Sequence, residues 1–481
     1  MRKTHLFLLS AFCILLNASL FGVNNSQEAV KHIQVLESTA THTTLEFNLP
    51  DFEILNEEIN NIPFKRLNIQ CDGLTPEEGF PELPIYSTMV AIPYHGSASL
   101  EIVNKQTYQI DNFVPAPVQQ DVTESDRTFA FNADFYNSNT IYPYETESIS
   151  EPKIIRDFRI VNLTFCPFSY NPSTRSLDVA ESVTYRINYS NTPSVNEMEA
   201  PVAYSPSFEP VYQALISNYE EVRDRTIPAN NKRILIIYGA NDDQNYQDKL
   251  AEFIKWKKQK GYRVQAVSTA DCGSTTAEVK TAIQTVYNNY LSQPEYVLLI
   301  GDVGGAMPIE CWMHSNGTLG AGASDYPYTQ LAGDDDLGDV YIGRMPVENV
   351  AHFLTMVNKV FTYERDPIVQ PDEWYNHMLL AGYSNAAGQS VIYQNKFMKE
   401  VALNVNPNYT FTELYGTPSP TVMQATINQG VAFFVYRGWI GMNGWDHPWD
   451  AEFTNGNKMP HCIINTCATG NFNSTDATDA I

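Results

Sequence analysis

The chain has 481 residues, and 55 Asp and Glu against 30 Lys and Arg give a formal charge of −25. That length holds two or three domains with cores of their own. The negative field repels nucleic acid and anionic lipid, and no basic, aromatic-interleaved patch offsets it, so nucleic-acid binding is excluded as the main role.

Residues 1–22, MRKTHLFLLSAFCILLNASLFG, join a basic start, an apolar run and small residues near a cleavage point, the pattern of a secretory signal. No later segment reaches about 18 apolar residues, so no transmembrane span is expected. Past the signal, six cysteines remain: Cys71, Cys166, Cys272, Cys311, Cys462 and Cys467. An even count outside the cell permits disulfides, but the wide spacings match neither a disulfide scaffold nor a zinc site. At least one thiol is expected to be free for another reason.

Residues 23–205 are strand-like. TTLEFNLP, YSTMVAIPY, SASLEIVNKQTYQI, KIIRDFRIVNLTF and SVTYRINYS cluster β-branched and aromatic residues between Pro, Asn and Gly turns. They predict a β-rich, sandwich-like domain. Residues 206–231 read as a linker, with a short helical stretch and then EVRDRTIPANN, where Arg223 and Arg225 mark a possible processing site.

From 232 to 481 the rhythm is α/β. KRILIIYGA, YRVQAVST, EYVLLIGDV, NHMLLAGY, VAFFVYRG and HCIINTC are short apolar strands, and helical stretches such as NYQDKLAEFIKWKKQKG and TAEVKTAIQTVYNNYL fall between them. This pattern predicts a mostly parallel sheet flanked by helices. Chemistry in such sheets gathers beyond the carboxyl ends of strands, where Gly301-Asp302, Tyr436-Arg437-Gly438 and Cys467 fall. The text stops at NSTDATDAI, before a helix that would cover the last strand, so this domain is expected to be truncated at its C-terminal end.

Cys467 follows an apolar strand and precedes Ala-Thr-Gly, a place where free N–H groups can favour a thiolate and form an oxyanion hole. The plainer alternative is a buried small residue, which suits Cys462 inside the strand better. A thiol nucleophile needs a base, usually histidine. His461 opens the same strand and is expected at its far end, His352 sits in a helical stretch, and His314 and His447 lie in loops. The loop SDYPYTQLAGDDDLGDVYIGR offers Asp325, Asp334, Asp335, Asp336 and Asp339 as hard oxygen ligands, which suits a structural Ca²⁺ or else a solvated acidic turn. Arg344 is a candidate partner for one of these carboxylates. No cofactor is required for the chemistry itself.

LLIGDV, SDYPYTQLAGDDDLGDVYIGRMPVENV, TYERDP, FVYRGWIGMNGW and IINTCATGNF together resemble the gingipain family of secreted cysteine peptidases, over roughly 232–481. Residues 23–205, with GFPELPIYSTMVAIP, resemble that family's N-terminal prodomain. The resemblance implies a caspase-like sandwich, peptide hydrolysis by a Cys-His pair, protein or peptide substrates, and calcium in several members. It also implies a secreted or bacterial cell-surface location, with a sorting domain beyond residue 481.

Carried over by residue, the nucleophile is Cys467 in CATGNF. The family's Gly-His-Gly, with Trp four residues on, reads here GWIGMNGW: Gly438 and Trp445 match, Trp439 stands at the histidine, and Ile440 replaces an oxyanion-hole glycine. Oxyanion donors would be Gly438 and Cys467. Glu348 matches the acid that supports the histidine. Asn358 falls where the arginine-cleaving members have an acidic pocket residue, and Trp439 and Trp445 would border that pocket.

An indole takes no proton from a thiol, so His447, eight residues past Trp439, is the candidate replacement base. The alternative is a catalytically inactive relative that acts as a secreted binding or surface module. A carbohydrate-active enzyme using Asp325 and the 334–339 cluster is the weakest reading.

Overall fold

The computed structural model describes residues 32–119, 128–230, 232–316, 320–365, 372–442, 452–467 and 469–473. They form two compact units: the first holds the described residues up to Asn230 together with Ala332–Leu337, and the second holds the remainder.

The first unit is built on two antiparallel sheets. One runs β1 (Ile33–Ser38), β2 (His42–Asn48), β12 (Ser176–Ser190) and β11 (Phe168–Asn171), with β7 (Ser97–Ile110) also paired to β12. The other runs β5 (Gly73–Leu74), β6 (Pro84–Ala91), β10 (Phe158–Phe165) and β8 (Glu147–Ile149), with β9 (Lys153–Ile155) also on β10. A separate hairpin joins β3 (Glu53–Ile59) to β4 (Ile62–Asn68). Alternate residues point inward, as a pleated strand demands. Val183, Tyr185 and Ile187 on β12 meet Leu45, Phe47, Tyr86, Val90, Val161, Leu163 and Phe165 in one buried cluster. Each such side chain contributes about 1.5–3 kcal/mol.

Much of the 206–231 stretch folds back onto this unit. Short helices Glu209–Leu215 and Tyr219–Val222 set the rings of Tyr212 and Tyr219 edge-on to Phe158, at 4.9 and 5.5 Å. Between them the buried Asn218 amide donates to Ala91 O (2.9 Å) and its oxygen accepts from Ala91 N (2.8 Å). Asp224, Arg225, Thr226, Pro228 and Ala229 are exposed.

In the second unit the expected parallel strands are shared between two four-stranded sheets. The first is ordered β14 (Arg263–Ser268), β13 (Arg233–Tyr238), β15 (Tyr296–Ile300), β18 (Tyr341–Met345). The second is ordered β20 (Thr410–Leu414), β19 (His377–Gly382), β21 (Phe433–Arg437), β22 (His461–Asn465). All neighbours are parallel, so each sheet gathers its carboxyl ends at one edge. A hairpin of β16 (Trp312–Asn316) and β17 (Gly320–Ser324) follows the first three strands.

Burial on both faces explains the continuous apolar runs. On β19, Leu379 and Ala381 pack with Met423, Ile427 and Phe434, whereas Met378 and Leu380 face Met398 and Ala402. The helices are capped as their sequences allow. Asp243 accepts from Asn245 N and Tyr246 N ahead of helix Gln244–Gln259, Thr275 and Glu278 form a reciprocal capping box on helix Thr276–Tyr287, and Asn349 caps helix Val350–Glu364.

The six cysteines past the signal are all free. Cys462, expected in the core, is solvent-accessible near the start of β22, yet burial of its thiol pushes its pKa up to about 11. No helix among the described residues is long and apolar enough to cross a membrane.

Candidate active site

β21 and β22 run side by side, with Arg437 paired to Asn465 at their carboxyl ends. Gly438-Trp439 and Thr466-Cys467 therefore leave the sheet together. Gly441 N donates to Cys467 O at 2.7 Å, and Thr466 Oγ1 donates to Gly441 O at 3.3 Å, which ties the two exits. A side chain at 438 is impossible without rearrangement, since a Cβ there would stand 2.7 Å from the Tyr436 ring. Ile440 and Gly441 both turn through positive φ, 48° and 79°.

Cys467 is exposed, and Trp439 is 40% exposed. His447 and Trp445 lie outside the described residues.

The loop after the thiol is braced by the other half of the unit. Asn471 Oδ1 accepts from Ala323 N (3.0 Å), Asn473 Nδ2 lies 3.3 Å from Met313 Sδ, and the Arg344 guanidinium lies 4.9 Å from the centre of the Phe472 ring. Arg344 is the hub of this side. Its Nε and Nη2 each donate to Asp325 at 2.7 Å, and its Nη1 donates to Gly301 O and Ile309 O at 2.8 Å. The carboxylate expected for Arg344 is thus Asp325, and the fork is bidentate.

Beyond β18, Glu348 is exposed and stands 3.8 Å from the His352 imidazole, an ion-pair distance too long for a hydrogen bond. Asp302, beyond β15, has its carboxyl pushed up by burial, with Glu348 adding to the effect. Asn358 is exposed, off the buried stripe of Phe353, Val357 and Phe361. His377 and His461 open β19 and β22, so both lie at the edge opposite Cys467. From His461 to Asn465 alone the strand rises about 13 Å.

The five loop aspartates are spread between the units. Asp334, Asp335 and Asp336 belong to the first, where Asp335 accepts from Ile154 N (2.7 Å) and Leu337 N (2.9 Å), and Asp336 accepts from Lys153 Nζ (2.5 Å). Asp325 and Asp339 belong to the second. Among the described residues no three carboxylates, imidazoles or thiols form a cage for an ion. Lys280 and Phe472 emerge as structural supports that residue type alone does not reveal, the first donating to the backbone oxygens of Pro327 and Gln330 and the second lying under the Arg344 guanidinium.

A caspase-like arrangement of parallel sheets flanked by helices, with a thiol at a strand's carboxyl end and an antiparallel sandwich before it, defines the class. The chain belongs to peptidase family C25, whose model matches residues 227–480, and the family's propeptide model matches 24–227. Gingipain R1 of Porphyromonas gingivalis is 24% identical over 98% of this chain, and Lys-gingipain of the same species is 24% identical over 95%. The chain spans 48% of the former's length and 28% of the latter's. The crystal structure of the Arg-specific cysteine proteinase gingipain R matches with 23% identity and a TM-score of 0.43, over 51% of this chain and 56% of that one.

Proposed function

We propose that this chain carries a secreted cysteine-type endopeptidase domain and its propeptide, with Cys467 as nucleophile. The observation that carries the reading is the placement of an exposed Cys467 at the carboxyl end of β22, tied to the Gly438–Gly441 turn at the end of β21. The Cys467 thiolate adds to a peptide carbonyl, and the N–H groups of Gly438 and Cys467 serve the oxyanion. An imidazole that has taken the thiol proton gives it to the departing amine. Water then splits the thioester, releasing a carboxylic acid and restoring the thiol.

His447 is the base in this reading, because Trp439 occupies the family's histidine position. Glu348 orients an imidazole, and Asn358, Trp439 and Trp445 border the side-chain pocket. Export by the 1–22 signal and an extracellular or cell-surface location belong to the same proposal. The exposed Trp439 supports the second reading, an inactive relative that binds protein at this surface.

The test is labelling of the full-length protein by a peptidyl thiol electrophile across pH 5–9, beside Cys467→Ala, His447→Ala and His352→Ala (about the range over which thiols and imidazoles titrate). Saturable labelling of Cys467 that collapses in the His447 variant supports the peptidase. Labelling no faster than a free thiol supports the binding module.

A further inference from the structure

We propose that Lys280 is the resident cation of the 325–339 turn, a tethered ammonium held in an oxygen cage that a metal ion would otherwise fill. Its Nζ donates to Pro327 O at 2.6 Å and to Gln330 O at 2.5 Å. The fully buried Asp339 acts on it as the counter-charge while accepting from Leu331 N at 2.7 Å. Two backbone carbonyls are the hard oxygen donors that touch the ammonium, and the Asp339 carboxylate adds favourable charge to the site.

The neighbouring carbonyls of the turn are met by side chains of the helix and of the turn itself. Gln284, one helical turn beyond Lys280, donates to Leu331 O at 2.8 Å, and Thr329 Oγ1 donates to Tyr326 O at 2.7 Å. Helix Thr276–Tyr287 therefore closes the turn with its own side chains. Burial pushes the Lys280 ammonium down to about 8, so it is still charged at neutral pH.

Two of the loop aspartates are engaged by cations of the chain itself. Asp325 is taken by the Arg344 fork, and Asp336 by Lys153. Each is held by a cation that belongs to the chain. Closing the turn also reaches the nucleophile loop, since Asp325 fixes Arg344 and Arg344 lies against Phe472.

The experiment is thermal unfolding of the full-length protein in calcium and in chelator, for wild type, Lys280→Met, Lys280→Arg and Asp339→Asn. It reads folding, so its outcome is separate from whether Cys467 is active. The wild-type Tm is expected to be the same in calcium and chelator. Lys280→Met is expected to melt several degrees lower in chelator and to recover part of that loss in calcium, which enters the vacated cage. Lys280→Arg, which keeps a charge, is expected to fall less and serves if the methionine variant fails to fold.

A wild-type Tm that rises in calcium, with the rise abolished by Asp339→Asn, would place a metal ion there and overturn the proposal. So would a Lys280→Met protein that melts like wild type. A destabilised Lys280→Met with no response to calcium would reduce Lys280 to an ordinary hydrogen-bond donor, and also overturns it.

Discussion

Replacing Arg344 with methionine keeps most of the aliphatic stem and removes the fork. The side chains of Arg344 and Asp325 are only 4% and 11% exposed, so the change strands a carboxylate in a largely dry site. Breaking a buried pair from one side costs about 3–5 kcal/mol. Gly301 O and Ile309 O lose a charged donor at the same time, each such bond being worth roughly 1.5–3 kcal/mol and not additive with the pair.

A net loss of about 4 kcal/mol follows, or a fall in Tm of about 8–16 °C for a domain of this size. The assay is denaturant and thermal unfolding of Arg344→Met, Asp325→Asn and the double variant. The two single losses should overlap, with a coupling of about 1–3 kcal/mol, because the double variant no longer buries an unpaired charge. Arg344→Met within about 1 kcal/mol of wild type would refute the hub assignment.

Trp439→His should leave Tm nearly unchanged, because the residue is substantially exposed, and in the His447→Ala background should raise the labelling rate of Cys467 by about 10²-fold; an unchanged rate would show that an imidazole at 439 does not serve this thiol. His377 donates to or accepts from Thr410 Oγ1 (2.7 Å) and Thr412 Oγ1 (2.9 Å), and burial holds its ring below the ordinary 6.5. The folded protein then binds fewer protons than the unfolded chain, so this contribution is present above 6.5 and is lost as the pH falls below it. His377→Gln should flatten the stability slope just below that value, and an unaltered slope would contradict the assignment. Trypsin should cut after Arg225 before Arg223: both are ion-paired at 2.7 Å, to Glu220 and Glu209, but the former is 69% exposed and the latter 22%. Mass spectrometry of a digestion time course reads the order, and Arg225→Gln should remove the early product.

The strands that were legible in the sequence are those with dense apolar or β-branched runs, such as RILIIY on β13 and HMLLAG on β19. TFTEL on β20 and YIGRM on β18 were not, since a short edge strand with polar residues carries little periodic signal. Nor does a list of strands say which pair with which, so the division into two sheets needed three dimensions. The thiol and Gly438 could be placed because strand ends are readable from where an apolar run stops. Lys280 could not, because a lysine that serves backbone carbonyls looks in sequence like any solvated charge on a helix.

Ile440 holds a left-handed backbone with φ of 48°, a conformation that disfavours β-branched side chains and costs about 1–3 kcal/mol. Engineers improving an enzyme ordinarily find that catalytic geometry and robustness pull apart. Here they point along one path. Glycine at 440 relaxes the peptide and removes an exposed side chain from the turn that is tied to Cys467, so the codon change that makes this domain hardier also restores the residue that the family resemblance places in an oxyanion hole.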